Sequence, residues 1–110
     1  DQRSLRVSGA RSGIACGGAA RSPLWMQLLA DVTGLRLRVP ATPEPGALGA
    51  AILGGVGAGM HQLDEAQARM TRYSRVYSPD AASSALYDLR YKRYCQLDDL
   101  LMPWFQEAQQ

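Results

Sequence analysis

The residues of this chain that could do chemistry are concentrated in one short stretch, the glycine turn at residues 17–22. Gly17 and Gly18 have no Cβ, so the backbone there can adopt unusual dihedral angles and another group can approach it closely. A strand, a glycine turn and a helix together form a unit that often contacts nucleotides, because a flat base or a phosphate can lie against bare backbone. The alternative is a tight connection with no ligand, and the turn residues alone leave both interpretations open.

The elements on either side of the turn follow from simple patterns. The apolar residues 14–16 predict a short buried strand, and Cys16 is expected to pack beside the glycines as a small apolar residue. Ser22 suits the N-cap of a helix, and Pro23 suits the first helical position, where its missing N–H costs nothing. Apolar residues then recur at helical spacing, and Gly34 stands where a helix commonly ends. We therefore predict a helix over Pro23–Thr33; the apolar residues are Leu24, Trp25, Leu28, Leu29 and Val32.

A second strand and a second helix are predicted next. Leu35, Leu37 and Val39 alternate with two arginines, which is typical of a half-buried strand. Residues 40–45 contain three prolines and predict a loop. Residues 46–59 are apolar but rich in glycine, which disfavours a helix by up to ~1 kcal/mol per residue relative to alanine. A helix there implies that another group packs against its backbone, and we expect the closest backbone contacts at Gly49, Ala50, Ala51 and Gly54.

The last third of the chain reads as mainly helical. Residues 63–73 predict a short helix, with acidic residues early and arginines late, which suits the helix dipole. His61, just before it, is expected to be an exposed loop residue. Residues 74–79 predict a connection with a short extended piece, and residues 79–109 predict one long amphipathic helix that packs on its own domain. Pro103 is expected to bend or end that helix.

Length and composition exclude several classes of protein. A chain of 110 residues forms one small domain or a piece of a larger one, and its net charge of +2 is too small to suggest a nucleic-acid partner. Cys16, Cys95 and the single histidine match no metal-ligand spacing, and two unpatterned cysteines suit a reducing cytoplasm. No apolar run is long enough to span a bilayer, and no signal peptide is recognised. Since the chain starts at Asp1 rather than Met, we expect a processed or excised piece.

The predicted order of strand, helix, strand, helix and further helix indicates an α/β unit with parallel strands. Two strands are too few for a stable sheet, so the unit is expected to lean on elements outside this chain. We find no nucleophile elbow, no paired carboxylates and no Walker lysine, and we therefore predict no catalytic residue within the chain.

Three motifs resemble the carboxy-terminal part of the FGGY carbohydrate kinases, in both their order and their spacing. They are the Gly-Gly-Ala-Ala-Arg-Ser-Pro-Leu-Trp stretch at residues 17–25, the Leu-Ala-Asp-Val-Thr-Gly helix end at residues 29–34, and Glu44 followed by Ala-Leu-Gly-Ala-Ala at residues 47–51. Further residues, among them Leu35 and Val39, are most similar to the xylulokinase and autoinducer-kinase branches.

The resemblance implies a fold and a division of the chain. It implies the C-terminal portion of an actin-like, ribonuclease-H-like ATPase domain, with parallel strands, packed helices and a long C-terminal helix. Residues 1–12 would be an N-terminal edge segment or the beginning of a fragment of the longer protein. Residues 13–78 would be the C-terminal part of the nucleotide-binding domain, and residues 79–110 its closing helix.

The resemblance also implies an activity. Such enzymes transfer the γ-phosphoryl group of ATP to a sugar or polyol hydroxyl with Mg²⁺, and the magnesium site is expected outside this chain. Gly17, Gly18, Ala19 and Ser22 correspond to the part that binds ATP, and Ala19 replaces a third glycine of the xylulokinase-like pattern.

The catalytic aspartate and the sugar contacts of the family precede this region, so the chain alone is expected to be inactive. Asp31 is expected to be structural, and Glu44 to cap a helix rather than face the nucleotide. A homodimer remains possible. The alternative function is a non-catalytic α/β module that binds nucleotide or mediates dimerisation.

Overall fold

A computed structural model describes residues 9–109 of the chain. A sheet of three strands and four α-helices make up this part of the protein, and one 3₁₀ turn, Gly18–Arg21, precedes the first helix. In chain order the elements are β1 (Ser12–Ile14), α1 (Pro23–Thr33), β2 (Arg36–Pro40), α2 (Pro45–Gly57), α3 (Leu63–Met70), β3 (Tyr73–Tyr77) and α4 (Ala81–Ala108). The predicted α/β class is confirmed. Of the predicted edge segment, residues 1–8 lie outside the described part, and Ser12 already belongs to β1.

The sheet is mixed, with β2 in the middle. β1 pairs with β2 in parallel, with Gly13 beside Leu37. This is the predicted parallel pair, although β1 lies two residues earlier than the sequence indicated. β3 pairs with β2 in antiparallel register, with Tyr77 beside Leu37. The sequence predicted only a short extended piece here, because most residues of β3 are exposed and do not alternate between apolar and polar.

The buried core is small and lies between α1 and the sheet. Ala30 of α1 packs with Leu35 and Leu37, and Tyr77 of β3 covers them. Met26, one turn earlier on α1, is also buried. The apolar stripe used to predict α1 lies largely elsewhere: the side chain of Leu24 is 73% exposed and that of Trp25 54% exposed. The spacing therefore identified the helix correctly, but a different face of it is buried.

Both ends of α1 are capped as predicted. The Ser22 hydroxyl accepts a hydrogen bond from the Trp25 N–H at 3.3 Å, and Pro23 occupies the first helical position. Gly34 has a φ of 71°, in the left-handed region that glycine adopts without strain, and its N–H donates to the Ala30 carbonyl. These caps fix the length and the start of α1.

One buried carboxylate, that of Asp31, connects α1 to the beginning of α4. Its side chain is 7% exposed, and its Oδ1 accepts hydrogen bonds from Gln27 Nε2 at 2.9 Å and from the Asp80 N–H at 2.8 Å. The Ser84 hydroxyl donates to the Asp31 carbonyl at 2.7 Å, and Gln27 Nε2 also donates to the Ser78 carbonyl at 2.8 Å. We call these five residues the Asp31 network. The expected structural role of Asp31 agrees with this position.

The helix α4 begins at an N-cap that its own sequence supplies. The Asp80 carboxylate accepts from the Ser83 N–H at 2.9 Å, and this bond, with a second from the Ser83 hydroxyl, lowers the pKa of Asp80 below its usual value. Because the ionised form is stabilised, the cap contributes at neutral pH and is lost as the pH falls through the lowered pKa.

The long helix continues through Pro103 to Ala108, so Pro103 does not end it, and the predicted alternative of a bend there stays a prediction. No residue of α4 is buried within residues 9–109, and its second half presents exposed apolar side chains, such as Leu100 and Trp104. α4 contacts α1 as predicted. The hydrogen bond from Ser84 to Asp31 and the cavity that Tyr87 lines together with α1 both lie in the first half of α4.

The packing predicted for the glycine-rich helix α2 is wrong. A Cβ built on Gly49 or Gly54 would meet no atom within 4 Å, and Ala50 and Ala51 are exposed. Instead, the imidazole of His61 covers Gly55, where an added Cβ would collide with it. His61 is accordingly half-buried rather than exposed, and its Nε2 lies 3.2 Å from the Ile52 carbonyl oxygen. Since a carbonyl only accepts, Nε2 carries the proton of this bond.

We expect Asp31→Ala to lower the free energy of unfolding by about 2 kcal/mol, because it removes two hydrogen bonds to a buried carboxylate. Asp98→Ala on the exposed side of α4 is the control, and it should change stability by less than about 0.5 kcal/mol. Urea unfolding of the two variants measures the difference. Equal losses would mean that the Asp31 network does not hold α1 to α4.

The neighbouring glycines Gly54 and Gly55 form a matched pair. Gly54→Ala should raise the free energy of unfolding by up to about 1 kcal/mol, since alanine favours the helix and its Cβ enters open space. Gly55→Ala should show no such gain, because its Cβ displaces His61 from the Ile52 carbonyl. Thermal unfolding compares the two, and an equal gain would show that His61 is not packed on α2.

Candidate functional site

The glycine turn lies directly after β1, at the carboxyl end of the strand. The Ala15 N–H still donates to the Arg38 carbonyl at 2.9 Å, so the chain leaves the sheet only after this residue. Gly17 has a φ of 97°, a left-handed value that strains residues with a Cβ. The 3₁₀ turn then begins, with the Ala20 N–H donating to the Gly17 carbonyl at 3.2 Å. The first glycine is therefore required by the backbone conformation itself.

Gly18 meets a different requirement. Its φ is not in the left-handed region, and a Cβ built on it would meet no atom within 4 Å. The backbone at Gly18 is thus open to solvent, as contact with a ligand demands. Cys16 is exposed rather than packed beside the glycines, because β1 ends two residues before it. That prediction for Cys16 is wrong.

A cleft of about 320 Å³ opens beside the glycine turn. The turn forms one wall, the loop after β2 forms another, and the first residues of α2 and β3 close it. It lies at the carboxyl ends of the parallel strands β1 and β2, the edge at which open α/β sheets bind their ligands. The polar and charged side chains that line it come from separate elements: Cys16, Arg21, Thr42, Ser74 and Arg75.

Of the four predicted ATP-binding residues, the structure places one in the lining of the cleft. Gly17 lines the cleft together with Ala20 and Arg21. Gly18, Ala19 and Ser22 are exposed and do not line it. The Ser22 hydroxyl already accepts the capping bond of α1, and its hydrogen remains available to donate. Their contact with ATP stays a prediction.

Sequence reasoning assigned no binding role to four polar residues of the cleft, namely Arg21, Thr42, Ser74 and Arg75. Thr42 could have been found, because the loops after parallel strands meet at one edge of a sheet. Ser74 and Arg75 could not, since β3 was not recognised as a strand.

Neither of the two acidic residues considered in the sequence, Asp31 and Glu44, lines this cleft. Asp31 belongs to the network at the start of α4. Glu44 occupies the N-cap position of α2, but its side chain is exposed and makes no capping hydrogen bond. Across residues 9–109, no three His, Cys, Asp or Glu side chains are grouped so that they could bind a metal ion. None of the helices in this range carries an apolar stretch that could cross a membrane.

Comparison with known proteins places this geometry in a family. Residues 10–58 match the C-terminal domain of the FGGY family of carbohydrate kinases. The autoinducer-2 kinases of Yersinia enterocolitica and Yersinia pestis are 46% identical to the chain over 79 residues. That alignment covers 71% of this chain and 15% of each relative, so the chain corresponds to a small part of their length.

Solved structures show the same architecture. The xylulose kinase of Rhodospirillum rubrum superposes with a TM-score of 0.77 and 28% identity, over 96% of this chain and 22% of that one. A ligand-bound xylulose kinase of Lactobacillus acidophilus gives a TM-score of 0.73 with 26% identity, over 80% of this chain and 18% of that one. Sequence and structure thus give the same result: the chain belongs to the FGGY family of carbohydrate kinases, where it corresponds to the C-terminal domain with its actin-like ATPase fold.

Proposed function

We propose that this chain is the nucleotide-side part of a kinase that transfers the γ-phosphoryl group of ATP to a hydroxyl group of a sugar or polyol. The observation that carries the proposal is the glycine turn, which exposes bare backbone at the carboxyl end of β1. Membership of the FGGY family supports it, as do relatives named as autoinducer-2, xylulose and gluconate kinases. The cytoplasm, where ATP and small sugars meet, is the proposed location.

In this proposal the chain holds the nucleotide and leaves the chemistry to other parts of the protein. Gly17, Gly18 and Ala19 offer a backbone surface against which the adenosine lies, and Ser22 offers a hydroxyl at the beginning of α1. Phosphoryl transfer depends mainly on positioning and on charge stabilisation from both sides of the reacting group. A firmly placed turn contributes to the positioning, because a small displacement of the nucleotide moves its γ-phosphate out of line.

Magnesium and the general base belong outside this chain. Mg²⁺ prefers carboxylate oxygens, phosphates and water, whereas the cleft is lined by arginines and hydroxyl groups and by no Asp or Glu. The residues present therefore do not fit a magnesium site. A general base must lie within hydrogen-bond reach of the substrate hydroxyl, and neither Asp31 nor Glu44 lines the cleft. We infer that the chain alone does not turn over and that the sugar binds to a preceding domain.

The test is Gly18→Val in the full-length kinase. Gly18 lies in open space without left-handed φ, so valine should leave the fold intact while its methyl groups occupy the volume proposed for adenosine. We expect the KM for ATP to rise roughly tenfold or more, the equivalent of 1–3 kcal/mol of overpacking. Steady-state kinetics at saturating sugar measure this effect.

Two controls separate binding from folding. The KM for the sugar should stay within about twofold, and the melting temperature without ligand should not change, since surface substitutions alter stability by about 0.5 kcal/mol or less. Gly18→Ala should give a smaller increase in the KM for ATP than Gly18→Val. An unchanged KM for ATP in folded Gly18→Val would mean that the turn is only a tight connection.

A further inference from the structure

The cleft beside the glycine turn has a charge pattern that the proposed adenosine contacts do not use. Arg21 comes from the 3₁₀ turn and Arg75 from β3, residues distant in sequence that line one cavity. No aspartate or glutamate is among the lining residues. Glu44, which stands between the lining residues Pro43 and Pro45, is the acidic residue nearest to the cleft in sequence. Its side chain is exposed and is not part of the lining. We call this cavity the arginine cleft.

The chemistry of the lining suits an oxyanion. An arginine guanidinium is always charged and presents five N–H donors in a planar fork that matches phosphate oxygens. Arg75 uses one nitrogen for a contact of 3.5 Å with the Tyr77 hydroxyl, at the outer limit of a hydrogen bond, so most of its donors remain available. Thr42 accepts from the Glu44 N–H at 3.2 Å, which leaves its hydroxyl hydrogen free to donate.

The backbone adds to this preference. Pro45, the first residue of α2, lines the arginine cleft, so the amino end of that helix borders it, although Pro45 itself has no N–H to donate. A helix amino end carries partial positive charge and favours anions. Two arginines, a hydroxyl group and a helix end thus converge on one cavity without a competing carboxylate in its lining.

We propose that the arginine cleft binds a phosphate-type oxyanion through Arg21 and Arg75. This proposal rests on the proposed function in one respect only, namely that the bound nucleotide can supply the phosphate. A phosphate of the bound nucleotide and free inorganic phosphate are the two sources that this chemistry allows. A guanidinium pair distinguishes phosphorylated ligands from nucleosides, so it would make the site selective for nucleotides over adenosine.

Isothermal titration calorimetry of the full-length protein tests this with three probes: ADP, adenosine and inorganic phosphate. Arg75→Gln and Arg21→Gln should each weaken ADP roughly tenfold, the effect of losing one partly solvated charge-assisted hydrogen bond. The affinity for adenosine should stay within about twofold, since no charge is lost from its contacts. Arg75→Lys keeps the charge without the fork and should fall between wild type and Arg75→Gln.

Arg72→Gln is the matched control, because Arg72 is exposed, lies three residues from Arg75 and does not line the cleft. It should leave all three affinities unchanged. If ADP binding is unchanged but phosphate binding weakens in both cleft variants, the proposal stands with free phosphate as the source. The proposal is overturned if the cleft variants weaken ADP and adenosine equally, or if the affinities for ADP and for phosphate are both unchanged. Wild-type protein that binds neither ADP nor adenosine contradicts the proposed function instead, and the phosphate titration then decides the arginine cleft on its own.

Discussion

The arrangement of α1 against α4 depends on the buried carboxylate of Asp31. Asp31 accepts hydrogen bonds from Gln27 on its own helix and from the backbone of Asp80, while Ser84 donates to its carbonyl. A buried charge is costly unless its oxygens are hydrogen-bonded, and here the donors come from both α1 and α4. The two helices therefore have one favourable arrangement, with the end of α1 against the start of α4.

That arrangement also places the glycine turn. α1 begins at the Ser22 cap, immediately after the 3₁₀ turn, and its last turn is held by the Asp31 network. With α1 packed on the sheet through Ala30, the path from β1 to α1 is short. The chain can follow this path only with a residue that tolerates a φ of 97°, which explains the glycine at position 17. A structural network at the other end of α1 thus contributes to the geometry of the proposed nucleotide surface.

Local signals predicted local structure well. Ser22, Pro23 and Gly34 marked both ends of α1 correctly, because caps act through neighbouring backbone groups. Non-local features were harder to predict. β3 has little alternation of its own and is a strand because β2 pairs with it, so Arg75 could not be assigned to the cleft in advance. The packing of α2 was misjudged for a related reason: small residues permit a close neighbour but do not specify one. Among the glycines of α2 only Gly55 has such a neighbour, the His61 side chain.

In the function that we propose, the glycine turn is the nucleotide surface of an FGGY-family kinase. Hydrogen–deuterium exchange of the full-length protein, with and without saturating ADP, tests it directly because it reports on backbone amides where the nucleotide is expected to lie. We predict slower exchange with ADP in peptides that cover residues 16–25, and unchanged exchange in α3, which lies away from the turn. Protection confined to other parts of the protein, with residues 16–25 exchanging at the same rate in both states, would contradict the account.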